Sequence, residues 1–106
     1  MNLDAAIRRI RANCLAVNGS IRGHCREVVL AICQSLSADQ LPVCICYGQY
    51  RGEGHHWLRI DDVIIDPTHD QFDPSLPVRR IKESTNSGYI EDGFIYYNPA
   101  AITGLS

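Results

Sequence analysis

At 106 residues, with 45% hydrophobic and 21% charged residues, the chain has the make-up of one globular domain with a single core, and disorder is excluded. No apolar run approaches the roughly 20 residues of a bilayer span, so no membrane partner is expected. A formal net charge of −2 excludes a global attraction to nucleic acid.

The first stretch, MNLDAAIRRIRANC, carries charges at helical spacing and no apolar h-region, so no secretory signal is expected. A cytoplasmic location is expected, with signal-independent export left open. Five cysteines, an odd count, fit a reduced chain with at least one unpaired thiol. Leu3, Ile7, Ile10 and Cys14 recur at the spacing of one buried stripe and predict a helix over Leu3–Val17. Asn2 caps it, Asn18-Gly19 ends it, and Arg8, Arg9 and Arg11 lie off the stripe as a solvated basic face.

A second helix is expected from about Gly23 to Leu36. Its apolar face is Val28, Val29, Ile32, Cys33 and Leu36, with Cys33 a buried thiol acting as a small hydrophobe. Cys25 falls in the first turn. Ser37–Pro42 reads as a loop and Val43–Tyr50 as a strand in which Gly48 marks a bulge. RGEG is a turn. His55–Asp61 and Val63–Asp66 follow as strands joined across Asp61-Asp62. From Pro67 to Gly88 a long ordered loop with one short strand is expected, anchored by Val78 and Ile81. Tyr89–Tyr97 reads as a last strand or hairpin with a turn at Asp92-Gly93. Helices first and an antiparallel sheet after predict an α+β domain over 1–106, with the N-terminal helices packed on a small antiparallel sheet.

Three residues fit nucleophile, base and orienter. Cys25 at a helix start gains from the positive end of the helix dipole, which favours the thiolate. A histidine beside an acid at the end of its partner strand donates one N–H to the carboxylate and keeps its other nitrogen as a base; Asp66 supplies the acid. His55, Trp57 and Arg59 share one face of the strand, and His56, Leu58 and Ile60 the other. The second set is apolar, so His56 is expected against packed core. The first is amphipathic, as beside a partly open site. Alternation alone leaves open which face looks toward Cys25. A zinc domain is a competing reading, with Cys44, Cys46, His55, His56 and His69 as ligands by type. Cys44-x-Cys46 departs from the usual spacing, however, so no metal is expected. No glycine-rich phosphate loop occurs and no cofactor is expected. A catalytically inactive binding module is the other alternative.

Gly23-His24-Cys25-Arg26-Glu27, His55-His56-Trp57 and Ile65-Asp66-Pro67-Thr68 together resemble the core of the transglutaminase-like and papain-like cysteine enzymes, over about residues 20–72. Asp70-Gln71-Phe72 is similar to small bacterial proteins of this type. The resemblance implies a papain-like or transglutaminase-like core and a catalytic triad of Cys25, His55 and Asp66, the base being the first residue of H-x-W. It also implies a protein or peptide substrate and chemistry on amides: hydrolysis, glutamine deamidation or acyl transfer. The family's oxyanion side chain lies upstream of the cysteine. Here no glutamine stands there, and Asn18 is the candidate.

Overall fold

The computed structural model describes residues 2–36, 42–84 and 87–97. Helix α1 spans Leu3–Asn18. The Asn2 side chain accepts from the Ala5 N–H at 2.9 Å. Gly19 closes the helix in the left-handed region at φ 74°, its N–H returning to Leu15 O. Helix α2 spans Cys25–Ser35. It begins two residues later than the expected start near Gly23, because Gly23 sits at φ 81°, outside helical space, and leaves His24 as the cap. Cys25 is therefore the first helical residue.

Five antiparallel strands follow: β1 (Val43–Tyr50), β2 (Glu53–Ile60), β3 (Val63–Asp66), β4 (Arg79–Lys82) and β5 (Tyr89–Tyr97), in the order β4-β3-β2-β1-β5. The β1–β2 connection is tighter than the expected four-residue turn. Arg51 and Gly52 both hold positive φ, at 52° and 77°, as a two-residue hairpin turn demands, and β2 starts at Glu53. Among its described residues, the expected loop from Pro67 to Gly88 contains one short strand, β4, and a 3₁₀ turn at His69–Gln71. β5 is one strand and makes no turn at Asp92-Gly93. Tyr47 pairs with Gly93 and Gly48 with Glu91, so Asp92 is the extra residue of a bulge opposite Gly48. A Cβ on Gly48 would lie 1.9 Å from Ile90 O, which is why glycine stands there. The expected loop at Ser37–Pro42 and the C-terminal tail fall almost wholly outside the described residues, Pro42 excepted.

The protein is thus α+β, with both helices on one face of the sheet. Leu3, Ile7, Val28, Val29, Ile32 and Cys33 pack there against Val43, Ile45, Leu58 and Ile65. Cys44, Cys46, Trp57 and Ile64 form a second cluster with Ile81 and Tyr89 on the opposite face. No helix among the described residues is long and apolar enough to cross a membrane. Arg11 departs from the expected solvated face. Its guanidinium holds Asp70 at 3.0 and 2.7 Å and Pro67 O at 2.6 Å, a forked pairing that ties α1 to the segment after β3.

Candidate active site

Asp66 ends β3 because Pro67 cannot continue a ladder. It is fully buried, and four groups converge on it. His55 Nε2 lies 3.0 and 2.9 Å from Asp66 Oδ1 and Oδ2. Tyr89 donates its phenol to Oδ2 at 2.8 Å, and the Thr68 N–H donates to Oδ1 at 3.2 Å. His69 Nδ1 is 3.4 Å from Oδ2 without making a hydrogen bond. Burial alone would raise the Asp66 carboxyl, but His55, Tyr89 and Thr68 together hold it below its ordinary value. A buried carboxylate needs this many donors to stay ionised.

His55 is 2% exposed. It is walled by Phe72, edge-on at 5.0 Å, and by Trp57, stacked at 6.1 Å. Burial disfavours its charge, yet Asp66 and Cys25 outweigh burial and raise it to about 9. With Nε2 committed to Asp66, Nδ1 is the nitrogen left for Cys25. At Cys25, burial pushes the thiol up, while the hydrogen bond and charge of His55 and the backbone groups of His56 and Arg26 draw it down. The net shift is downward. Cys33 and Cys46 go the other way: burial pushes each up to about 12. Cys33 is 1% exposed, as its place on the apolar helix stripe leads one to expect.

The two histidines exchange the environments expected from strand alternation. His56, expected against packed core, is half-buried; its Nδ1 lies 3.8 Å from Cys25 Sγ and its ring faces Tyr47. His55 is the enclosed one. The reason lies in what covers each face at the start of β2. The segment from Asp66 to Phe72, clamped by Arg11, crosses over His55. On the other face α2 begins only at Cys25 and leaves the strand start open. Burial, the Arg26 charge and the His55 charge all push His56 down, so it stays neutral beside the thiol.

The sulfur opens into a cleft of about 500 Å³ lined by Gly23, Cys25, Tyr47, His55, His56 and Gln71, among others. Gln71 was not singled out as a site residue by sequence reasoning. Its Oε1 accepts the Gly23 N–H at 3.0 Å and its Nε2 donates to Thr68 Oγ1 at 2.9 Å, which fixes the loop before Cys25 to the loop after Asp66. Asn18 is elsewhere; its amide contacts Cys14 Sγ at 3.5 Å, in the groove between the helices. Tyr89 and Thr68 were likewise missed. Asp66-Pro67-Thr68 carried a local signal for Thr68, since a carboxylate commonly takes the N–H two residues on. Nothing local could have pointed to Tyr89.

The residues considered as zinc ligands are dispersed. Cys44 and Cys46 pack with Trp57 and Ile64, His55 and His69 flank Asp66, and His56 lies on the helix side of the sheet. Among the described residues no group of three or more His, Cys, Asp or Glu could hold a metal ion. No protein-family model, no curated protein and no solved structure matches the chain.

Proposed function

We propose that the protein performs thiol-dependent chemistry on amides of a protein or peptide substrate, with Cys25 as nucleophile, His55 as acid and base and Asp66 as the group that orients His55. We further propose that the two helices and the sheet are a minimal papain-like or transglutaminase-like core, on the motifs at Gly23–Glu27, His55–Trp57 and Ile65–Thr68. The observation that carries the reading is the His55–Asp66 hydrogen bond at 2.9 Å, with His55 and Cys25 lining one cleft.

The reaction follows from the proton positions. The Cys25 thiolate adds to the amide carbonyl carbon, and the carbonyl oxygen becomes an oxyanion beside the N-terminus of α2, where N–H groups lack helical partners. His55 Nδ1 gives its proton to the amide nitrogen, the C–N bond breaks, and an amine or ammonia leaves with a thioester on Cys25. His55, now neutral, takes a proton from water or from an acceptor amine. That nucleophile attacks the thioester, and sulfur leaves as thiolate while His55 is again imidazolium. Asp66 stabilises that imidazolium and fixes its tautomer.

Intact-mass analysis after incubation with p-nitrophenyl acetate tests the reading. The expected result is one acetyl group on Cys25 in the wild type, none at that position in Cys25→Ala, and slow formation in His55→Ala. Acetylation spread over several cysteines, unchanged in His55→Ala, would remove the triad.

A further inference from the structure

Three large apolar side chains stand exposed next to the cleft: Leu30 at 40%, Tyr47 at 46% and Ile95 at 58%. They converge with Ile45 on a groove of about 530 Å³ between α2 and the β1–β5 pair. Its remaining lining is Arg26 and His56. Arg26, Tyr47 and His56 line the Cys25 cleft as well, so the groove and the cleft are continuous. Exposed apolar groups gathered in one concave place, rather than scattered singly, mark a binding surface.

The helix sets the spacing. Leu30 lies five residues beyond Cys25 on α2, which at 1.5 Å per residue is about 7.5 Å along the axis. An extended peptide advances about 3.3 Å per residue and repeats its side-chain direction every second residue. A substrate whose carbonyl carbon lies against Cys25 therefore brings the side chain two residues away to the level of Leu30, and that side chain points the same way as the residue under attack.

Resting on the function proposed above, we infer that the Leu30–Tyr47–Ile95 groove is a specificity subsite, taking a large aliphatic or aromatic side chain near the attacked carbonyl on the acyl side of a peptide. The chemical class is thus an extended peptide with an apolar residue close to the scissile or transferred amide. Arg26 at the junction offers the rival occupant, an acidic side chain, and the two are separable.

The test uses the full chain and three chloromethyl ketones that place the probed side chain two residues from the attacked glycine: N-acetyl-Leu-Gly-Gly, N-acetyl-Gly-Gly-Gly and N-acetyl-Glu-Gly-Gly. In each the thiolate forms a C–S bond and chloride leaves, and every rate is divided by the iodoacetamide rate of the same protein. The Leu reagent is expected to inactivate at least about ten-fold faster than the Gly reagent, the order expected for filling an apolar pocket. Leu30→Glu and Ile95→Glu should each bring that ratio close to one. Ile90→Asp, also an exposed apolar position on β5 at 64% but outside the groove, should keep it. A wild-type ratio near one with Cys25 still labelled first by iodoacetamide would overturn the subsite and leave the triad standing. A fastest Glu reagent would overturn it in favour of Arg26. Failure of iodoacetamide to select Cys25 would remove both proposals together.

Discussion

Tyr89 donates to Asp66 Oδ2 at 2.8 Å, the same oxygen that lies 2.9 Å from His55 Nε2. The two residues sit on strands that are not neighbours, β5 and β3. The tyrosine ring bridges the distance by stacking on Tyr50 at 4.4 Å and leaning on Trp57 at 5.0 Å. Arg79 lies against both tyrosine rings and donates to Tyr50 Oη and Ser87 O. Burial and the Asp66 charge push the Tyr89 phenol upward, so it remains a donor across the working range of the site. Tyr89→Phe keeps the ring and removes only that donor. A hydrogen bond to a buried charged group is worth about 1.5–3 kcal/mol, and urea unfolding of the variant should report a loss at the lower end of that range. Cys25 alkylation should slow several-fold, since a less well held carboxylate stabilises the His55 imidazolium less. An unchanged alkylation rate beside a normal stability loss would make Tyr89 a packing residue only.

That tyrosine shows where sequence reading stopped. Residues whose role depends on local rules were legible: the Asn2 cap, the Gly19 stop, the bulge opposite Gly48, the strand end at Asp66-Pro67, and Cys25 in the first turn of α2. Each is set by backbone geometry within a few residues. The partners of Asp66 were legible only in part, because Tyr89 arrives through the order of the strands, which alternation and turn chemistry leave open. The exchange between His55 and His56 has the same cause. Alternation correctly put them on opposite faces, but which face was enclosed depended on the crossing segment from Asp66 to Phe72. Arg11, read from helix periodicity as a solvated charge, is the residue that holds this segment down through Asp70, 59 residues away.

Asp66→Asn tests the buried pair with little change in shape. The carboxyl is held below its ordinary value, so its contribution is complete above the unfolded value of about 3.9 and is lost as pH falls through the folded value. His55 is raised to about 9, so its contribution is complete below the unfolded value of about 6.5 and is lost as pH rises toward 9. The stability difference between wild type and variant should therefore be widest between about pH 4 and 6.5 and should narrow on both sides. Its maximum should be about 2–4 kcal/mol, the range for disrupting a buried hydrogen-bonded charge. Urea unfolding at pH 3, 5.5 and 9.5 measures it. A difference independent of pH would mean that the pair is not ionised in the folded protein.

Gly48→Ala addresses the bulge beside the cleft. The new methyl would meet Ile90 O at 1.9 Å and Asp92 N at 2.9 Å, both backbone atoms that cannot rotate aside. β1 and β5 must separate locally, at a cost of about 2–3 kcal/mol. Because Gly48 and Asp92 line the cleft with Cys25, alkylation kinetics should change together with stability. Gly54→Ala is the control. It lines the same cleft, and a Cβ there meets nothing within 4 Å, so its stability should stay close to wild type.

The identity of the base is decided by titrating the Cys25 thiolate, followed by its ultraviolet absorbance or by alkylation rate against pH. In the wild type the half-point should fall below the ordinary thiol value of 9.0, because His55 outweighs burial. His55→Ala removes both the hydrogen bond and the positive charge and leaves the burial. The half-point should then rise above that of the wild type. His56→Ala keeps the backbone N–H through which His56 acts on the sulfur and deletes only the neutral ring at 3.8 Å. Its half-point should stay below 9.0, with any change in rate reflecting easier access to the cleft. Circular dichroism should show both variants folded before the titrations are compared, with His55→Ala the less stable because it leaves Asp66 buried with Tyr89 and Thr68 as its remaining donors. If the depressed half-point survives in folded His55→Ala and disappears in His56→Ala, the base is His56 and the His55–Asp66 pair is a structural one.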